Sequence, residues 1–139
     1  MYPKEYIAAF VAAQLGFIRG FEGYSAIGFG EPLTAGFIYH NWNPEAGTIE
    51  VSGASTRRNW AGRDEVKAIF GYPFDELGCQ MVVARHSVDN ARVRRIWKAL
   101  GASEYIIPRL RGRDEDEAIA TLTVEAWRAF ERSLDRGKK

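Results

Sequence analysis

Apolar residues Ile7, Phe10, Val11, Leu15 and Ile18, with Gln14 among them, recur at three- and four-residue spacing near the start of the chain. That period predicts an amphipathic helix laid on a core. Tyr24 to Gly30 and Thr34 to Trp42 are short, rich in aromatic and branched residues, and separated by Glu31-Pro32-Leu33, which predicts two strands in a hairpin. Pro44 to Gly47 is a second turn signal, and in Thr48 to Thr56 the apolar Ile49 and Val51 alternate with Thr48, Glu50 and Ser52. A three-stranded antiparallel meander is expected.

The period then changes. Val66, Ile69, Phe70, Phe74 and Leu77 fall at helical spacing between Gly62 and Leu77, so a helix follows, kinked or split at Pro73 and stopped at Gly78. Gln80 to Arg85 is nearly continuous in apolar residues, the pattern of a strand covered on both faces. Val93, Ile96, Trp97 and Leu100 form a further helical stripe, with Asn90 at its start and Gly101 at its end. Glu104 to Leu110 and Ala118 to Val124 read as strands around a charged turn, Arg111 to Glu117. Thr123 can cap a last helix carrying Ala126, Trp127 and Phe130. The sum is one mixed sheet with helices, without repeats or linkers.

At 139 residues the chain, 1–139, is expected to form a single domain. A hydrophobic content of 46% excludes the composition of disordered chains. The single Cys79 cannot form an intrachain disulfide and reads as a buried or idle thiol. Nineteen basic against 18 acidic residues leave a net charge of +1, so no overall field calls for a nucleic-acid partner. The run from Ile7 to Phe21 is interrupted by Gln14 and Arg19 and is short of the roughly 18 apolar residues of a membrane span. Lys4 and Glu5 balance in place of a basic leader, so a cytoplasmic protein that is not membrane-bound is expected.

No metal site is expected, because His40 and His86 stand without a second ligand at suitable spacing, and no Ser occupies a nucleophile elbow. Each histidine reads as a partly buried ring or as a proton carrier. The junction Ser55-Thr56-Arg57-Arg58-Asn59-Trp60-Ala61-Gly62-Arg63-Asp64 is more informative. A strand ends, a turn of small residues follows, and a helix starts whose free N–H groups suit a pyrophosphate, with Arg57, Arg58 and Arg63 around it. An Arg-rich helix start on a plain surface has the same pattern.

The segment Asp89-Asn90-Ala91-Arg92-Val93-Arg94-Arg95-Ile96-Trp97-Lys98-Ala99-Leu100-Gly101-Ala102, after a strand, resembles the Asn-led helix of the GNAT acyltransferase superfamily, particularly its ribosomal-protein N-acetyltransferase branch. Arg58-x-x-Ala61-x-Arg63 stands where that family has Gln/Arg-x-x-Gly-x-Gly/Ala. Trp60, Tyr72 to Gly78 and Leu122 to Trp127 resemble the same branch, and the likeness covers roughly Thr34 to Phe130. It implies an α/β (α+β) fold: a mixed, largely antiparallel sheet with a splayed parallel strand pair and flanking helices. Acetyl-CoA, as cosubstrate, would lie in the splay. Backbone groups of Gly53, Ala54 and Ser55 would pair with the pantetheine, and one N–H would polarise the thioester oxygen. Arg58 and the backbone of Ala61, Gly62, Arg63 and Asp64 would hold the pyrophosphate, and Asn90 would meet the pantetheine arm.

The departures from that family pattern are Arg63 in place of Gly or Ala, Ala102 in place of Phe, and Trp97 where many members place a Tyr that protonates the thiolate. No first strand of the family precedes the opening helix. The implied reaction is direct attack of a primary amine, on a small molecule or a peptide, with oxyanion stabilisation by backbone N–H and proton removal by a base. At pH 7 deprotonating a lysine costs about 4.6 kcal/mol, against about 1 kcal/mol for an α-amine. A low-pKa amine suits a chain without an obvious strong base. Glu50 is the leading candidate base, with a sheet-surface carboxylate as its plain reading; His86, Tyr105 and Ser87 are alternates for proton transfer. With the first strand missing, Tyr24 to Gly30 would be an uncharged sheet edge, and a homodimer through it is expected unless the opening helix covers it. Two other classes stay open: a degenerate, non-catalytic CoA-binding or interaction protein, and a nucleic-acid binder using Arg92, Arg94 and Arg95.

Overall fold

A computed structural model describes residues 2–16, 23–57 and 61–136. The first helix, α1 (Lys4–Leu15), is closed by Gly16 in the left-handed conformation. The expected continuation of its stripe to Ile18 lies outside the described residues. Three antiparallel strands follow: β1 (Ser25–Phe29), β2 (Ala35–Asn43) and β3 (Thr48–Ser55). Next come α2 (Arg63–Gly71), widened into a π-helical turn over Tyr72–Glu76 at Pro73, then β4 (Met81–Ser87) and α3 (Ala91–Leu100). A hairpin of β5 (Ser103–Gly112) and β6 (Glu115–Thr123) leads into α4 (Val124–Arg136). The strands form one sheet in the order β1-β2-β3-β4-β6-β5, in which only β3 and β4 run parallel.

Two caps hold as expected: Asn90 Oδ1 accepts from Val93 N at 3.2 Å, and Thr123 Oγ1 accepts from Ala126 N at 3.1 Å. On one face of the sheet, α2, α3 and α4 pack Phe70, Phe74, Trp97 and Trp127 against Ile49, Val51, Val82, Ala84 and Leu122. Phe70 lies between Trp97 and Trp127, with ring centroids 5.7 and 4.9 Å away. On the other face, α1 sets Ile7 and Val11 against Leu33 and Ile38. Gly36 permits this approach, because a Cβ there would stand 2.9 Å from both Ile7 Cγ2 and Val11 Cγ2.

Two expectations are corrected. The segment beginning at Gln80 was expected to be covered on both faces, but β4 starts at Met81, with Val82, Ala84 and His86 buried and Arg85 exposed. The reason is that α1 covers β1 to β3 and stops short of β4. The charged turn expected over Arg111 to Glu117 shrinks to Arg113 and Asp114. One of its charges turns inward: Glu117 is buried, with Arg85 on one carboxylate oxygen and Arg111 3.5 Å from the other.

Candidate active site

The parallel pairing of β3 with β4 is short. Thr48, Ile49 and Glu50 face Met81, Val82 and Val83, and beyond Glu50 the two strands separate although each continues. Gly53, Ala54 and Ser55 pair with β2 on one side and have no strand partner on the other. Backbone N–H and C=O groups in such a gap need partners from elsewhere. The gap opens into a cleft of about 340 Å³ whose walls include Gly53, Ala54, Ser55, Ala61, His86 and Asn90. Gly53 is required beside it, since a Cβ would run into the Phe37 ring.

His86 is 8% exposed, and its Nε2 has no hydrogen-bond partner among the described residues. Its pKa lies below the ordinary imidazole value, chiefly through burial, with Arg111 and Arg94 adding to the effect against Glu104 and Glu117. A neutral, orphaned nitrogen in a cleft wall suits a ligand that brings a hydrogen-bonding group. Asn90 uses its carbonyl oxygen as the α3 cap and lines the cleft. At the start of α2, Gly62 N–H donates to Glu65 Oε1 at 2.7 Å, so one of the expected phosphate donors is already engaged by a carboxylate. Arg63 and Asp64 open the helix beside it. Arg58 lies outside the described residues. The chemistry of the lining suits acetyl-CoA: the unpaired β3 backbone suits an amide-bearing arm, and Ala61, just before α2, lines the same cleft.

Glu50 stands at the fork of the splay, on the face away from α2 and α3. Asn41 Nδ2 donates to its Oε1 at 3.0 Å, and His40 Nε2 is 3.7 Å from its Oε2. His40 Nδ1 lies 3.3 Å from Asn41 Nδ2, which can only donate, so the proton of the neutral ring sits on Nε2, 2.9 Å from Ser52 Oγ. Burial holds the His40 pKa below the ordinary value, Arg85 adding to this and Glu50 opposing it. His40 is therefore not isolated, as its sequence position implied. Its position opposite Glu50 depends on a bulge between His40 and Asn43, where Asn41 takes φ 54°. Counting back from Asn43 opposite Thr48 without the bulge puts Asn41, not His40, across from Glu50.

The remaining candidates lie apart. Tyr105 is 57% exposed on β5, three strands from Glu50 or roughly 14 Å by ordinary strand spacing. Ser87 Oγ accepts from Asp89 N at 3.2 Å in the turn before α3. Arg94 forms two hydrogen bonds to Glu104, of 2.9 and 2.7 Å, and a third to the Val88 carbonyl, so it is not displayed for a nucleic acid. No group of three metal-ligating side chains occurs among the described residues, nor does a helix long and apolar enough to cross a membrane.

No sequence-family model matches the chain, and no curated protein does. Solved structures do. A protein from T. thermophilus, taken to be an acetyltransferase, superposes with a TM-score of 0.71 over 94% of this chain and 73% of its own, at 18% identity. A protein from Salmonella typhimurium, taken to be an acetyltransferase and solved with its cofactor acetyl-CoA, gives 0.67 over 88% and 91%, also at 18%. A GCN5-related N-acetyltransferase from Brucella melitensis gives 0.66 over 81% and 57%, at 17%. None of these three singles out the ribosomal-protein branch. The splayed parallel pair, the helices on the cleft side and these superpositions together give the chain the fold of the GCN5-related N-acetyltransferases.

Proposed function

We propose that this protein is an N-acetyltransferase that moves an acetyl group from acetyl-CoA to a primary amine by direct attack. The observation that carries the reading is the divergence of β3 and β4 beyond Glu50, with an unpaired backbone and an orphaned His86 nitrogen on one face and Glu50 on the other. The backbone of Gly53 to Ser55 holds the pantetheine and lends an N–H to the thioester oxygen. The first turn of α2, with Arg63, faces the pyrophosphate. Glu50, oriented by Asn41 and His40, takes a proton from the acceptor. The amine nitrogen then bonds to the acetyl carbon, the carbon–sulfur bond breaks, and CoA leaves with its sulfur electrons to be protonated. His86, in the cleft wall, is neutral at pH 7, so the thiolate takes its proton from water. Trp97, buried against Phe70, has no hydroxyl to offer.

A neighbour of the same fold, a spermidine N-acetyltransferase from Vibrio cholerae, supports a small amine as acceptor, with a TM-score of 0.61 at 15% identity over 73% of this chain and 62% of its own. A CoA thioester as donor is compatible with the cytoplasmic location proposed for the protein. The test is release of free CoA thiol from acetyl-CoA in the presence of a panel of amines. Amine-dependent release is expected, with kcat reduced roughly 100-fold or more in Glu50→Gln and the acetyl-CoA affinity retained. Binding without transfer to any amine would overturn catalysis and leave a CoA-binding protein.

A further inference from the structure

On the face away from α2 and α3, charged side chains stand on three neighbouring strands: Glu50 on β3, Arg85 on β4 and Glu117 on β6. Glu50 pairs with Val83, so Arg85, two residues on along the diverging β4, shares its face, and the Glu50 carboxylate helps to raise the Arg85 pKa. Arg85 also lines the cleft where the strands part, beside Ser52. It is tethered by Nε to the buried Glu117, whose second oxygen is 3.5 Å from Arg111. That tether leaves both terminal nitrogens of Arg85 without a hydrogen-bond partner among the described residues, on a side chain 42% exposed. Glu117 and Glu115, the latter 3.7 Å from Arg111, balance the two arginines overall, so what Arg85 offers is its open fork, with the Glu50 carboxylate on the same face. The pair is complementary to a zwitterion. A polyamine would bring no carboxylate for the Arg85 fork.

We propose that the acceptor is a small zwitterionic amine of the amino-acid type, its carboxylate held by the free fork of Arg85 while its amine faces Glu50. The inference rests on the N-acetyltransferase reading and specifies its acceptor. A guanidinium whose Nε is already fixed loses little freedom when its terminal nitrogens bind a carboxylate, so the contact is a strong one.

The test compares the common L-amino acids with their carboxamides and with 1,4-diaminobutane, measuring release of CoA thiol. The carboxamide amine is the easier to deprotonate, so chemistry alone favours it. A preference of the wild-type protein for the acid in kcat/KM, roughly 10-fold or more and expressed in KM, is expected. The double variant Arg85→Gln/Glu117→Gln removes both paired charges, leaves no lone buried carboxylate, and should bring that ratio to one or below. Arg85→Lys, which keeps a charge beside Glu117, should lose at least threefold of the preference. Equal or better use of the carboxamides by wild type, or an unchanged preference in the double variant, would overturn the assignment. Transfer to the diamine with none to amino acids overturns the acceptor class and leaves the N-acetyltransferase reading standing. No transfer to any amine overturns both.

Discussion

His40 and His86 lie on opposite faces of the splay, and burial holds both rings below the ordinary imidazole pKa. The unfolded chain takes up their protons near pH 6.5 while the folded chain resists. Their contribution to stability is therefore complete above that value and is lost as the pH falls from about 6.5 through the depressed folded pKa values. Denaturant midpoints should drop between pH 7 and pH 5, and the drop should shrink in His40→Gln and in His86→Gln; an unaltered slope in both would remove the histidines as its cause. Glu50 was legible as a polar residue on an alternating strand. Its partners were not, because one extra residue in β2 changes which side chain stands opposite, and hydrophobic alternation carries no mark of a bulge at His40-Asn41-Trp42-Asn43.

Among the elements, α2 shows the sharpest tension between folding and binding. Glu65 satisfies the Gly62 N–H and places a negative charge at the helix start where a pyrophosphate would sit. Glu65→Ala should cost about 0.5–1 kcal/mol of stability and tighten CoA roughly three- to tenfold, read by calorimetric titration alongside denaturant unfolding. Weaker binding in that variant would mean that Glu65 shapes the loop for the ligand. The helices and strands were readable because Val66-Ile69-Phe70 and Val93-Ile96-Trp97 keep a helical period and Ile49-Val51 a strand period. The length of the β5–β6 turn was not, since Arg111, Glu115 and Glu117 look alike in a solvated loop and in a cross-strand ion network, and only the burial of Glu117 separates the two.

For the molecule as a whole, the sheet ends in two edges of different character. Lys4 Nζ donates to the Tyr24 carbonyl and Tyr2 Oη to the Gly30 carbonyl, so the opening segment engages both ends of β1. Every residue of β5 is exposed, including Tyr105, Ile106, Ile107 and Leu110. The proposed homodimer is therefore better placed on β5 than on β1. Light scattering at micromolar concentration should give twice the chain mass, halved by Ile106→Lys and unaffected by Ile27→Lys; the reverse pattern would return the interface to β1, and a monomeric wild type would end the proposal. The cleft proposed for acetyl-CoA stands independently of that outcome. It was anticipated through motif order around Asn90 and Ala61-Gly62-Arg63, whereas the separation of β3 from β4 is a tertiary property that no single segment encodes. Hydrogen exchange with and without millimolar acetyl-CoA probes the cleft most directly: slowed exchange at the amides of Gly53 to Ser55 and in the first turn of α2 is expected, and protection confined to other elements, or none at all, would contradict acetyl-CoA binding in the splay.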